Sequence, residues 1–227
     1  MTAAGDARDG MTGIHETVVP QLMALDLDPA RPLLAVDVDE VIVGLAGHLA
    51  EYAAERGFTL RLTDYKLSGA LWRVDDTPAD PEEFAVLFRG FFDENTRHQR
   101  MYPGAAEVLR ALSDRVQIAI LTNVPVHARE DRVFNLAGHG IDYPLVANTG
   151  PKGPALRWMA ERAGRTAFID DTPSQLASAA AQAPDVARIH FVGDDALRGF
   201  LPDVEAAQHR ADSWAEMHGV IEDILLG

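Results

Sequence analysis

The chain has 227 residues, 47% of them hydrophobic and 24% charged, a balance that suits a globular protein of one domain plus a modest insertion. Its formal net charge of −15 disfavours nucleic acid and anionic membrane as partners, and the absence of cysteine removes disulfides, thiolate metal sites and cysteine nucleophiles. A small anionic ligand stays possible, because a bound cation and one or two local Lys or Arg can reverse the field inside a cleft.

The first dozen residues are small, polar and Gly-rich, which predicts disorder. They lack the basic and apolar regions of a signal peptide, and no stretch approaches the roughly 20 apolar residues of a membrane helix, so a cytoplasmic protein is expected. From His15 to Leu25, Val18, Val19, Leu22, Met23 and Leu25 predict a short helix. Leu33-Leu34-Ala35-Val36 is then a continuous apolar run closed by Asp37-Val38-Asp39, the pattern of a central parallel strand reaching its carboxyl end.

The interval from Gly44 to Tyr102 has two helical patterns, one with Leu45, Leu49, Tyr52 and Ala53, the other with Phe84, Leu87, Phe88 and Phe91. Between them Leu60 to Pro81 reads as irregular. The interval is too long for a simple crossover and predicts a helical cap inserted after the first strand. Beyond it, strands are predicted at Val116 to Leu121, Tyr143 to Ala147, Thr166 to Ile169 and Ala187 to Val192, with Pro144 marking an edge or a later start. Helices fall at Pro103 to Leu112, Ala128 to Ala137, Pro154 to Ala163, Pro173 to Ala183 and Ala211 to Leu226. Strands alternating with helices of about ten residues imply βαβ units. The expected fold is α/β, a three-layer sandwich with a mostly parallel central sheet and a small α-helical cap. The expected divisions are an N-terminal extension at 1–30, a core at 31–43 and 103–227, and a cap at 44–102.

Ligands of open α/β sheets bind outside the carboxyl ends of the strands. Four features fall there: Asp37 and Asp39, Thr122 and Asn123, Lys152 before a helix, and Asp170 with Asp171. Each has a plain structural reading, as strand-end acids, a turn, a solvated lysine and a helix start with Thr172 and Pro173. The eight histidines show no ligand spacing. Phe84, Phe88, Phe91 and Phe92 read as the core of the cap, and Asp194-Asp195 as a loop. Trp72, Arg73, Arg97, His98 and Arg100 lie in or beside the insertion, where Arg73 or Arg97 would be the candidates to meet an anionic part of a ligand.

Taken in order, the segments Leu33 to Val41, Ile120 to Asn123, Pro151 to Gly153 and Phe168 to Asp171 resemble the signature of the haloacid dehalogenase-like (HAD) superfamily. The resemblance spans about Pro32 to Val192. It implies Mg²⁺-dependent hydrolysis of a small phosphomonoester through an aspartyl-phosphate. Asp37 would be the nucleophile and Asp39 the general acid/base. Thr122 and the Asn123 backbone N–H would hold phosphoryl oxygens, and Lys152 would neutralise charge. Asp37, Asp170, Asp171 and the backbone carbonyl of Asp39 would surround the metal. Dehalogenase members typically lack the second aspartate, since a halide needs no acid, so Asp39 favours phosphoryl transfer. Val41 stands where many members carry Thr, and Gln175 where an Asn is frequent. A phosphotransferase or mutase uses the same intermediate, and a non-catalytic phosphate-binding protein would have no need of Asp39.

Overall fold

The computed structural model describes residues 10–62, 66–200 and 203–227. A six-stranded parallel sheet is ordered β5-β4-β1-β6-β7-β8, with β1 at Leu33–Val36, β4 at Gln117–Thr122, β5 at Leu145–Ala147, β6 at Thr166–Asp170, β7 at Ala187–Phe191 and β8 at His209–Ala211. All four residues of β1 are fully buried, which is why this strand reads as an unbroken apolar run. Its alternation serves two cores. Leu34 and Val36 join one with the helices α4 (Ala105–Leu112) and α9 (Trp214–Leu225), through side chains such as Leu109 and Trp214. Leu33 and Ala35 face the other with α1 (Val19–Met23), α6 (Gly153–Ala160) and α7 (Pro173–Gln182), through Leu22, Leu156 and Leu176. This is the expected three-layer sandwich. Helix α5 (Arg129–Gly138) follows β4, and the short α8 (Asp195–Arg198) follows β7. No helix among the described residues is long and apolar enough to cross a membrane.

The register aligns the functional ends of the strands. Val36 pairs with Ile120 on one side and Ile169 on the other, so Asp37 emerges level with the ends of β4 and β6. After Asp37 the chain turns tightly: the Val38 carbonyl accepts from the N–H groups of Val41, Ile42 and Val43 at 3.2, 2.7 and 3.0 Å. It then leaves the sheet beside the segment on which it returns, with Val43 bridged to Met101 and the Tyr102 N–H donating to Ile42 at 2.8 Å.

Between these junctions lie α2 (Ala46–Glu55) and α3 (Pro81–Asn95), the latter begun by an Asp80 and Glu83 capping box. The predicted irregular stretch differs in the structure. Phe58–Leu60 (β2) and Leu71–Arg73 (β3) form an antiparallel pair, so the inserted segment is not purely helical. Three-residue strands are too short for alternation to reveal them. The helix expected from His15 to Leu25 shrinks to Val19–Met23, because its N-cap Val18 has no side chain to cap it. The N-terminal disorder expectation falls largely on residues 1–9, outside the described residues. Gly10 and Thr12 accept hydrogen bonds from Arg157 on α6, which fastens them to the core. Pro144 precedes β5, which is an edge strand, as its composition implied. Strand β8 escaped prediction because it has three residues, of which His209 and Arg210 are exposed at the sheet edge.

Candidate active site

The four strand-end features converge. Asp37 leaves the end of β1 with its backbone N–H on Ile169 at 3.0 Å. Lys152, at the start of α6, places its ammonium 2.7 Å from Asp37 Oδ1 and 2.6 Å from Asp170 Oδ2, with all three side chains buried. Asp170 ends β6 and its Oδ1 accepts the Thr172 N–H at 2.8 Å. Carboxylate oxygens of Asp37, Asp170 and Asp171 lie within 4.8 Å of one another. Burial works against the Lys152 ammonium, yet Asp170 and Asp37 outweigh it and hold its pKa above the ordinary lysine value. Burial pushes the Asp170 carboxyl up, against the pull of Lys152.

Two features deliver Lys152 to this point. Gly153 lies where a Cβ would stand 2.2 Å from the Ser178 carbonyl oxygen, so only glycine lets α6 approach α7 this closely. Gln175 accepts the Lys152 N–H at 2.8 Å and so fastens the lysine loop. Thr122 ends β4 with its hydroxyl oxygen buried and without a protein partner. Asn123 commits its side chain to Gly150 and Asn148, at 2.9 and 2.8 Å.

Asp39 takes a different direction. Its Oδ1 accepts from Arg132 Nη2 at 2.7 Å and from Gln99 Nε2 at 3.2 Å, and its carboxylate stands apart from the three-acid cluster. The Asp39 side chain is therefore not among the clustered carboxylates that could hold a metal. Arg132 is wholly buried, while the Asp39 side chain keeps 16% exposure toward the cleft. Burial raises the Asp39 carboxyl above the ordinary aspartate value, with Arg132 as the main opposing influence. Gln99 also reaches back to the Gly44 carbonyl at 2.9 Å and accepts from Arg132 at 2.7 Å, tying Asp39 to both junctions of the inserted segment.

Neither Arg132 nor Gln99 was visible as a site residue. Arg132 shares a buried helical stripe with Asn135 and Leu136, and a charged residue on such a stripe is the only sequence trace it leaves. Glu40 was also missed. It has φ 62°, uncommon for a residue with a side chain, and its carboxylate accepts the Leu45 and Ala46 N–H groups at 2.8 and 2.6 Å and the Tyr102 hydroxyl at 2.5 Å. It caps α2, whose own N-cap Leu45 has no capping side chain.

A cleft of about 580 Å³ is lined by Asp37, Asp39, Thr122 and Lys152 and, from the inserted segment, by residues that include Leu45 and Leu67. Phe88 and Phe92 line it, whereas Phe91 packs against Tyr52 inside the insertion, so the aromatic cluster is split between cleft and core. Trp72, Arg73, Arg97, His98 and Arg100 do not line it. Arg73 pairs with Glu83, Arg97 with Asp131 and Arg100 with Glu51.

No protein-family model matches the sequence, and no curated protein matches it. Solved structures are similar in fold. A putative haloacid dehalogenase-like hydrolase from Burkholderia xenovorans superimposes with a TM-score of 0.59 at 16% identity, covering 88% of this chain and 100% of that one. A putative beta-phosphoglucomutase from Thermotoga maritima gives 0.53 at 16% identity, over 86% and 100%. An L-2-haloacid dehalogenase gives 0.53 at 14% identity, over 85% and 99%. The α/β architecture and the parallel sheet with its central β1 are thus shared with these structures: the chain has the haloacid dehalogenase-like fold.

Proposed function

We propose that the protein is a Mg²⁺-dependent phosphatase of small phosphomonoesters, with Asp37 as nucleophile and Asp39 as general acid/base. The observation that carries this reading is that both carboxyl groups line one cleft while being held differently, Asp37 by Lys152 and Asp39 by Arg132.

The residues fit the metal. Asp37, Asp170 and Asp171 offer clustered carboxylate oxygens, the hard donors Mg²⁺ requires, and the cation would offset their mutual repulsion. Bound there, Mg²⁺ would neutralise the phosphoryl oxygens and help orient the ester. The chain's own groups do the rest. Lys152 holds Asp37 in place and adds positive charge beside the transferring group. A carboxylate oxygen of Asp37 attacks phosphorus, the bond from phosphorus to the ester oxygen breaks, and Asp39 gives that oxygen its proton. Asp39, now a carboxylate, takes a proton from water as the water attacks the phosphorylated Asp37. Inorganic phosphate leaves and both acids are restored. Because Arg132 and Gln99 both bind Oδ1, Oδ2 is the Asp39 oxygen that can face the substrate.

Phosphoryl transfer to a second substrate, as in a mutase, would use the same first step. Halide displacement would make no use of Asp39. Release of phosphate from para-nitrophenyl phosphate with Mg²⁺, and its loss in Asp37→Asn, is the test. No metal-dependent turnover over a panel of phosphomonoesters would sink the reading, and wild-type activity in Asp37→Asn would remove Asp37 from its role.

A further inference from the structure

The walls of the cleft bear on the alcohol that the phosphate is esterified to. Among the described residues, the inserted segment contributes Leu45, Ala46, Lys66, Leu67, Phe88 and Phe92, and of these six only Lys66 carries a hydrogen-bonding side chain. Leu197 adds a further apolar group from α8. The Phe88 ring is stacked on Phe84 at 5.3 Å between centroids and stands edge-on to Phe92 at 5.0 Å, so these rings form a continuous aromatic wall. On the opposite side Asn123 and Gln175 spend their amides on the loop around Gly150 and Lys152. Among the described lining residues, Lys66, Ser174 and Thr172, whose hydroxyl already meets Asp171, are too few to match the hydroxyls of a hexose. A hydroxyl taken from water into such a wall leaves its hydrogen bonds unmade, whereas a hydrocarbon gains by burial.

We infer that the substrate is a monophosphate ester of an apolar alcohol, an aryl or alkyl group seated against Leu67, Phe88 and Phe92, and not a sugar phosphate. The inference rests on the phosphatase reading, and its test separates the two. Cyclohexylmethyl phosphate and glucose 6-phosphate are both primary esters on a six-membered ring, and they differ mainly in hydroxyl groups. With Mg²⁺ present, kcat/KM is expected to be at least about tenfold higher for cyclohexylmethyl phosphate. Phe88→Ser, and separately Leu67→Gln, should each narrow that ratio by about threefold or more, because each places a polar partner in the wall. Cyclohexylmethyl phosphate turned over no faster than glucose 6-phosphate would overturn the inference while leaving the phosphatase reading in place. A ratio unmoved in both variants would overturn the assignment of the apolar wall. No phosphate from either ester or from phenyl phosphate would overturn the phosphatase reading, and the inference with it.

Discussion

Replacing Arg132 with Met tests whether the buried cation on α5 exists to hold Asp39. Arg132 is wholly buried and its Nη2 lies 2.7 Å from Asp39 Oδ1 and 2.7 Å from Gln99 Oε1. Methionine keeps much of the packing volume but removes the charge. Breaking a fully buried ion pair from one side costs about 3–5 kcal/mol, because the remaining charge stays desolvated. Asp39 keeps 16% exposure and its bond from Gln99, which places the expected loss at the lower end, about 3 kcal/mol. For a chain of this size that is a fall in Tm of about 6–12 °C. Asp39→Asn leaves Arg132 unpaired and should also destabilise. The double variant should be more stable than the two losses added together predict, with a coupling of about 2 kcal/mol read from urea denaturation. Activity should divide unevenly. Arg132→Met should lower kcat about tenfold or more with little change in KM, since Asp39 acts on the ester oxygen and does not hold the substrate. A coupling below about 0.5 kcal/mol, or an unchanged kcat, would show that Arg132 does not hold Asp39 for catalysis.

Three further outcomes follow from individual contacts. Thr122→Val removes a buried hydroxyl that has no protein partner, so Tm should stay level or rise while kcat/KM falls about tenfold or more; a large loss of stability with activity intact would show the hydroxyl to be structural. In Gly193→Ala the new Cβ would stand 2.3 Å from the Tyr102 ring, which Glu40 pins through its hydroxyl, so thermal melts should show a loss of about 1–3 kcal/mol, relieved by adding Tyr102→Leu. His48 accepts the Arg100 N–H at 2.9 Å and is buried, which lowers its pKa below the ordinary 6.5. The unfolded chain therefore takes up that proton first, so the His48 contribution is full above the unfolded value and is lost as pH falls through the folded one. Between about pH 7.5 and about pH 5 the Tm of the wild type should drop further than that of His48→Gln. His190, shifted the same way by burial, keeps some of the slope in the variant.

What could be read from the sequence follows from how local each signal is. β1 announced itself because a strand covered on both faces has no polar positions, and Asp37 marks the first residue beyond that cover. Thr122, Lys152 and Asp170 gained meaning from their order along the chain, and the parallel register then brings them to one edge. Arg132 lacked such a signal. It lies 93 residues from Asp39, and its helix gives no local reason for burying a guanidinium. Phe84, Phe88, Phe91 and Phe92 were legible as a helix face, yet the division between cleft and core depends on how α3 lies over the sheet. The β2 and β3 pair is held by antiparallel contacts across ten intervening residues, which no short window of sequence contains. Glu40 was hidden for a different reason: a left-handed glutamate is set by the turn around it, with Leu45, Ala46 and Tyr102 meeting its carboxylate.

The claim on which the rest depends is that Asp37 carries the phosphoryl group. Mixing the protein with phenyl phosphate and Mg²⁺, quenching in acid within the first turnover and measuring the mass of the peptide that contains Asp37 tests it directly. This peptide should gain the mass of one phosphoryl group, Asp39→Asn should slow the loss of the label, and Asp37→Asn should never acquire it. Phosphate released at the wild-type rate with no label on Asp37, or with the label on another residue, would contradict that claim.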